Sequence, residues 1–156
     1  MDPAYQESRM IVPKNLAILM AVMLIVTWAS MLFTRYVLNI SMPELALWIS
    51  GAFFITTILL IFAMKYSLKV YDDRIEAFYI FRTTTLMKSD ILETKSGELN
   101  IIKSYTPWSL KGVRYRTFSA IGDEMGVGLK MKGKRVYYLA SVDPEVVLAL
   151  IPKEDA

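Results

Sequence analysis

The sequence predicts a membrane α-helical hairpin followed by a small mainly-β domain, and three observations carry the prediction. Residues 15–34 and 45–64 are two uncharged runs of twenty residues each, and they hold most of the excess that makes the 156-residue chain 54% hydrophobic. From residue 65 onward, continuous apolar character gives way to short alternating segments separated by turn residues, the period-2 pattern of half-buried strands. Cysteine and histidine are both absent, which excludes disulfide frameworks, thiol nucleophiles, imidazole acid–base chemistry and the usual zinc sites.

Residues 1–13 read as a cytoplasmic tail ahead of the first span. Twenty helical residues cover about 30 Å, the thickness of a bilayer's hydrocarbon core, and two successive soluble helices are rarely apolar on every face for so long. The segment 35–44 is short enough to force an antiparallel pair. Ser41, Pro43 and Glu44 form the pattern of a capping box with proline in the first turn, so the second helix is expected to begin there. Tyr36 and Trp48 lie near the loop as interfacial aromatics, and the deeper Trp28 is read as packing. A cleaved signal peptide needs a shorter apolar stretch and a small-residue cleavage site, and the first run supplies neither.

Arg9, Lys14, Lys65, Lys69 and Arg74 flank the span ends remote from the loop, against Arg35 alone within it. That bias places both termini in the cytoplasm of a multi-pass cell-membrane protein. Asn39-Ile40-Ser41 fits a glycosylation pattern, but so close to the bilayer that chance explains it. Neither span contains a charge that would mark an ion path. Thr27, Ser30, Ser50, Thr56 and Thr57 are expected to bond to carbonyls of their own helices. Ala46 and Ser50, beside Gly51, make a thin surface for packing within the hairpin or against a second copy of the chain.

In the remaining chain, strands are expected at 66–71 and 74–81 about an Asp72-Asp73 turn, then at 84–88, 91–94, 99–103, 112–118 and 127–132. The last is joined through Gly133 to 134–140 as a second hairpin. Ser141 to Glu145 places a capping residue, a proline and an acid ahead of an apolar run, which predicts a helix over 144–151. Short strands in this number with one closing helix make a small barrel or sandwich.

The pieces YSLKVYDDRIEAFYIF, TTTLMKSDIL, GVGLKMKGKRVYYLAS and DPEVVLALI together resemble the bacterial and archaeal pleckstrin-homology-like (PH-like) domains of small membrane proteins. The resemblance covers residues 66–151 and implies a seven-stranded bent β-barrel or sandwich capped by a short C-terminal helix, with a role at the cell membrane. Lipid-binding members of the wider superfamily hold phosphorylated headgroups with basic side chains around the first hairpin. The matching turn here is Asp72-Asp73, which would repel a phosphate, and only Lys69 and Arg74 beside it have the right sign.

Charge localises the remaining candidates. Arg9, Lys14 and Arg35 balance Asp2, Glu7 and Glu44, so the whole net charge of +3 belongs to residues 65–156. One basic cluster is Lys111, Arg114 and Arg116 beside Trp108, and the other is Lys130, Lys132, Lys134 and Arg135. Alternation puts Arg114 and Arg116 on one face, and likewise Lys130 and Lys132. Such a face is either solvated or apposed to an anionic leaflet, where each basic residue contributes about 1 kcal/mol. Twelve acids between Asp72 and Asp155 dilute the field below what nucleic-acid binding needs. Gly122, Gly126 and Gly128 lack the spacing of a phosphate loop and read as a turn entering a strand. The acid pairs Asp72-Asp73 and Asp123-Glu124 are turn-like, and Ser104, Ser109 and Ser119 have basic neighbours but no catalytic set. No cofactor or metal site is indicated.

The function these features point to is non-catalytic: a membrane-anchored binding or scaffold protein presenting its β-domain at the inner leaflet. The expected partners are membrane lipids and another membrane or cytoplasmic protein, with a second copy of the chain a further candidate. An accessory subunit of a transport or secretion complex, contacting partners through its helices, is the alternative. A membrane-associated enzyme using carboxylate or Ser/Lys groups ranks third.

Overall fold

The computed structural model describes residues 2–109 and 111–151 and divides into two units, Val12–Met64 and Met1–Ile11 with Lys65–Ala156. The first unit is the helical hairpin, with α1 at Lys14–Tyr36 and α2 at Glu44–Ala63. Both helices are long and apolar enough to cross a membrane. The hydroxyls behave as expected: Thr27 bonds to the Met23 carbonyl, Ser30 to Val26, Thr56 to Ala52 and Thr57 to Phe53, each at 2.8 Å. The capping box at Ser41 does not form. Pro43 occupies the N-cap position of α2 without a side-chain cap bond, and the first turn closes through Ala46 N–H on the Pro43 carbonyl at 3.1 Å.

Of the three residues expected at a helix contact, Ala46 is exposed, Ser50 is half-buried and bonds to the Leu47 carbonyl at 2.9 Å, and Gly51 is buried. Gly51 is the seat for Trp28, whose indole N–H donates to the Leu47 carbonyl at 3.1 Å. A Cβ at position 51 would lie 2.7 Å from the indole Cε2. Gly51→Ala is therefore expected to push the indole off its seat and weaken the hairpin by about 1–3 kcal/mol. The check is a lowered thermal midpoint of the helical circular-dichroism signal in detergent, with Gly51→Val worse than Gly51→Ala.

The second unit is built from two four-stranded sheets. The first has the order β1-β2-β3-β4, with β1 at Tyr5–Met10, β2 at Lys65–Val70, β3 at Arg74–Ile80 and β4 at Arg82–Met87, all antiparallel. The second has the order β5-β7-β8-β6, with β5 at Ile91–Glu98, β6 at Arg114–Phe118, β7 at Met125–Met131 and β8 at Arg135–Ala140. There β6 runs parallel to β8. Short helices α3 (Leu99–Lys103) and α4 (Pro144–Ala149) complete the unit. Leu68, Val70, Ile75, Ala77, Val127, Leu129 and Leu139 are fully buried as its core, and the Tyr66 hydroxyl ties the sheets together by donating to the Ala140 carbonyl at 2.7 Å.

Three features depart from expectation. The tail is not merely a tail, because residues 5–10 form the edge strand β1, and the described unit has eight strands where the PH-like resemblance implies seven. Residues 99–103 are helical, not extended. Leu99 and Ile102, one turn apart, are both buried while Ile101 is 67% exposed, and they fit because β7 has glycine beneath each. A Cβ on Gly126 would lie 2.7 Å from Leu99 Cδ2, and one on Gly128 would lie 2.6 Å from Ile102 Cγ2. Those two glycines are contact positions, and only Gly122, at φ +90°, serves the turn. Asp143 precedes α4 without a side-chain cap bond, and Pro144 sets the first turn instead.

Register defines the two ends of this unit. At one end Met10 pairs with Lys65 and Lys65 with Ile80, and Ile121 N–H donates to the Ile11 carbonyl at 2.8 Å. Here the chain leaves for α1 and returns from α2, through residues 11–13 and through Met64 alone. At the other end lie the β2–β3 turn and the β7–β8 turn, linked by way of Lys88 N–H on the Asp73 carbonyl at 3.0 Å and Lys132 N–H on the Asp90 carbonyl at 2.9 Å. Strands of six residues set the ends about 20 Å apart. The β3–β4 turn, at the chain-exit end, is unusual. Ile80 sits at φ +60°, a left-handed conformation that costs a β-branched residue about 1–2 kcal/mol, and the adjacent Phe81 is 63% exposed.

Candidate functional site

The basic residues are not equivalent once their neighbours are known. Arg74 is held by its own turn acids, with Glu76 at 2.8 Å and Asp73 at 3.2 Å, and these bonds raise its affinity for the proton further. Lys69 faces Glu76 across the β2–β3 register and lines a shallow hollow with Ser67 and Phe78. Arg74 is thus engaged by its own turn, whereas Lys69 forms no ion pair among the described residues. Lys130 pairs with Glu93 at 3.0 Å. Lys132 donates to the Ser89 carbonyl at 2.9 Å and lies 3.9 Å from Asp90. Lys88, whose amine burial drives below its usual range, donates to the Leu150 carbonyl at 2.5 Å and so anchors the segment after α4.

Of the cations that form no ion pair among the described residues, three converge at the end remote from the chain exit, whereas Lys65 and Arg82 lie at the exit end. Arg114 and Arg135 are direct neighbours in the parallel β6–β8 register, and Arg114 N–H donates to the Lys134 carbonyl at 2.9 Å. Among the described residues Arg114, Lys134 and Arg135 form no ion pair. Like charges side by side are unfavourable in a sheet, so an anion between them is stabilising. Lys134 also adopts φ +56°, directly after Gly133 at φ +78°, a turn that thrusts consecutive polar residues outward. Lys111, in the turn before β6, and Arg116, within it, are exposed. β6 is an edge strand exposed over most of its length, and Tyr115, between the two arginines, is exposed rather than turned inward. On β7 the outer face is covered by α3 and Trp108 at Gly126 and Gly128, while Lys130 is half-buried beyond them.

Two cavities of about 270 Å³ each flank the β7–β8 turn and share Met131, Gly133 and Arg135. One opens between the sheets, near Thr85, Asp90 and Tyr137. The other has an apolar floor of Leu92, Trp108 and Val136, with Lys134 on its rim. Trp108 is the keystone of this end. It is 1% exposed, its indole N–H donates to Glu93 Oε2 at 2.5 Å, and its carbonyl accepts the Tyr115 hydroxyl at 2.7 Å. Sequence reasoning placed Trp108 beside the basic cluster but could not find Glu93 or Leu92, because their roles depend on pairings across distant strands. Among the described residues no group of acids is arranged to hold a metal ion.

The hydrogen bond from Trp108, reinforced by Lys130, holds the Glu93 carboxyl below the usual carboxylate range. A depressed carboxylate contributes stability above the unfolded-chain value of about 4.3 and loses it as pH falls through the folded value. The thermal midpoint of the protein is expected to fall on acidification below about pH 4.5, and Glu93→Gln is expected to flatten that decline while lowering the midpoint at pH 7. An unchanged acid slope in the variant would remove Glu93 as its source.

No family model, no curated protein and no solved structure matches the chain.

Proposed function

We propose that the chain is a membrane-anchored, non-catalytic binding protein whose hairpin spans the bilayer and whose β-unit, of PH-like type, offers an anion-binding end to an acidic segment of a cytoplasmic partner. The observation that carries this reading is the separation of the two ends of the β-unit. The chain passes into the hairpin beside Met10 and Lys65, whereas Arg114, Lys134 and Arg135 gather at the other end. A separation of about 20 Å along the strands sets these cations apart from the point where the chain enters the hairpin, which supports an acidic protein segment as their partner. Pairing of β1 with β2 also requires residues 5–10 and 65–70 to lie on the same side of any membrane the hairpin enters. Two spans satisfy that requirement, and the basic flanks favour the cytoplasmic side. The PH-like kinship is supported by two sheets and a short final helix, and it departs from the expected barrel in the eighth strand and the parallel β6–β8 pair.

The test uses the full chain in nanodiscs of neutral lipid, titrated with polyglutamate at low salt. Salt-sensitive binding is expected, and the triple variant Arg114→Glu, Lys134→Glu, Arg135→Glu should weaken it about tenfold or more, at roughly 0.5–1 kcal/mol per exposed charge contact. Absence of binding by the parent chain at low salt would reject the reading. Competition by anionic lipid in the disc would return the site to the leaflet.

A further inference from the structure

We infer that the β3–β4 turn, Ile80-Phe81-Arg82, is a second membrane contact that seats its apolar tip in the interfacial layer beside the hairpin. This rests on the reading of α1 and α2 as membrane spans and goes beyond it, because a span alone leaves the β-unit free to pivot in water. Chain reach supplies the first argument. Met64 is the only residue between the end of α2 and the start of β2, so Lys65 is within two Cα steps, about 8 Å, of the last helical residue. Lys65 pairs with Ile80 and Tyr79 with Arg82, so the turn is carried to the same end of the sheet on the adjacent strands.

Composition supplies the second argument. A two-residue turn between antiparallel strands ordinarily uses glycine, asparagine or aspartate where φ is positive, yet position 80 is isoleucine at φ +60°. The core does not demand it. Ile80 is half-buried, and Phe81 is 63% exposed. An apolar pair at a strained, exposed tip, followed by a cation, has the chemistry of an interfacial anchor: the ring lies at the headgroup–acyl boundary and the guanidinium among headgroup phosphates. The same end carries a second exposed apolar residue, Ile121, 54% exposed, next to the chain exit through its hydrogen bond to Ile11. The tips at the opposite end are of contrary chemistry, Asp72-Asp73 and Lys132-Gly133-Lys134.

The chain contains no cysteine, so single labels can be placed without a background. Bimane is attached to the full chain at Phe81→Cys, Ile121→Cys, Val26→Cys or Lys134→Cys, in neutral-lipid vesicles whose acyl chains carry doxyl quenchers both near the headgroup and near the methyl end. Strong quenching is expected at 26, at mid-span, and at 81 and 121, with a label at 134 no more quenched than free dye. A label at 81 as accessible to water as that at 134 overturns the wedge, whatever position 121 shows. If position 26 is unquenched as well, the spanning assignment fails with it, so the two failures are told apart. A second measurement leaves Phe81 intact: amide resonances of residues 80–82 should broaden with doxyl lipid in the otherwise native chain, and Ile80→Asn should reduce that broadening severalfold. Broadening no greater than at residues 132–134 would contradict the proposal independently.

Discussion

Replacing Trp108 by alanine is expected to remove about 3–5 kcal/mol from the stability of the β-unit, the range for deleting a fully buried large aromatic. The indole fills the space that Gly128 leaves open, with a ring carbon 2.6 Å from where a Cβ would stand, and it packs edge-on against Tyr105 at 5.7 Å between centroids. Its removal opens a cavity on the outer face of β7 and frees Glu93 from its strongest hydrogen-bond donor. Against a total of about 5–15 kcal/mol for a typical domain, that loss leaves little margin. Denaturant unfolding of the full chain in detergent should show the midpoint collapse, and Trp108→Phe should recover most of it. A loss below about 1 kcal/mol in the alanine variant would mean that the ring is not a core group. The phenylalanine variant also separates packing from charge, because it keeps an aromatic ring yet should raise the Glu93 pKa toward its ordinary value.

Arg9→Ala is expected to cost about 3 kcal/mol, the lower end for removing one partner of a buried ion pair. The Arg9 guanidinium is 3.0 Å from Asp123 and 3.8 Å from Glu7, with those carboxylates only 13% and 11% exposed, and it lies 5.4 Å over the Tyr66 ring. Glu7 in turn accepts the Tyr5 hydroxyl at 2.9 Å and the Val142 N–H at 3.1 Å. Burial, with Glu7 nearby, keeps the Tyr66 phenol far above its ordinary pKa and therefore neutral. Without the arginine two carboxylates remain in a poorly hydrated cluster with no cation. The loss should appear first as local opening: faster amide exchange over residues 5–10, with strands β7 and β8 still protected. The double variant Arg9→Ala, Asp123→Asn should be less damaging than the sum of the singles. Uniform acceleration across both sheets would instead show that β1 is not a separable element.

Where the sequence was legible, the information was local. The hairpin follows from hydropathy and length, and β2, β3, β7 and β8 follow from alternation across turn residues. β1 escaped because Tyr-Gln-Glu-Ser-Arg-Met has few apolar residues; it is a strand by virtue of its pairing with β2 and its ion pair to Asp123, both set by tertiary contact. α3 escaped because five residues are too few for helical periodicity, and its burial depends on two glycines more than twenty positions later. The basic residues were legible as residues. Their sorting into paired and unpaired depends on contacts across strands, and the gathering of Arg114, Lys134 and Arg135 at one end on the parallel β6–β8 register, which no local pattern announces.

The pairing of β1 with β2 encloses the fifty-four residues 11–64 between two hydrogen-bonded neighbours. Closing so long a loop is entropically tolerable, but it imposes an order of assembly. The first strand leaves the ribosome well before its partner and cannot dock until the whole hairpin has been made. Until then β2 is an open edge, with Tyr66 and Leu68 uncovered on that side, and open edges recruit other strands. On the proposed spanning reading, the finished sheet is a record of correct topogenesis: a chain whose second helix failed to insert would strand its own N-terminus from the sheet and leave a frayed edge.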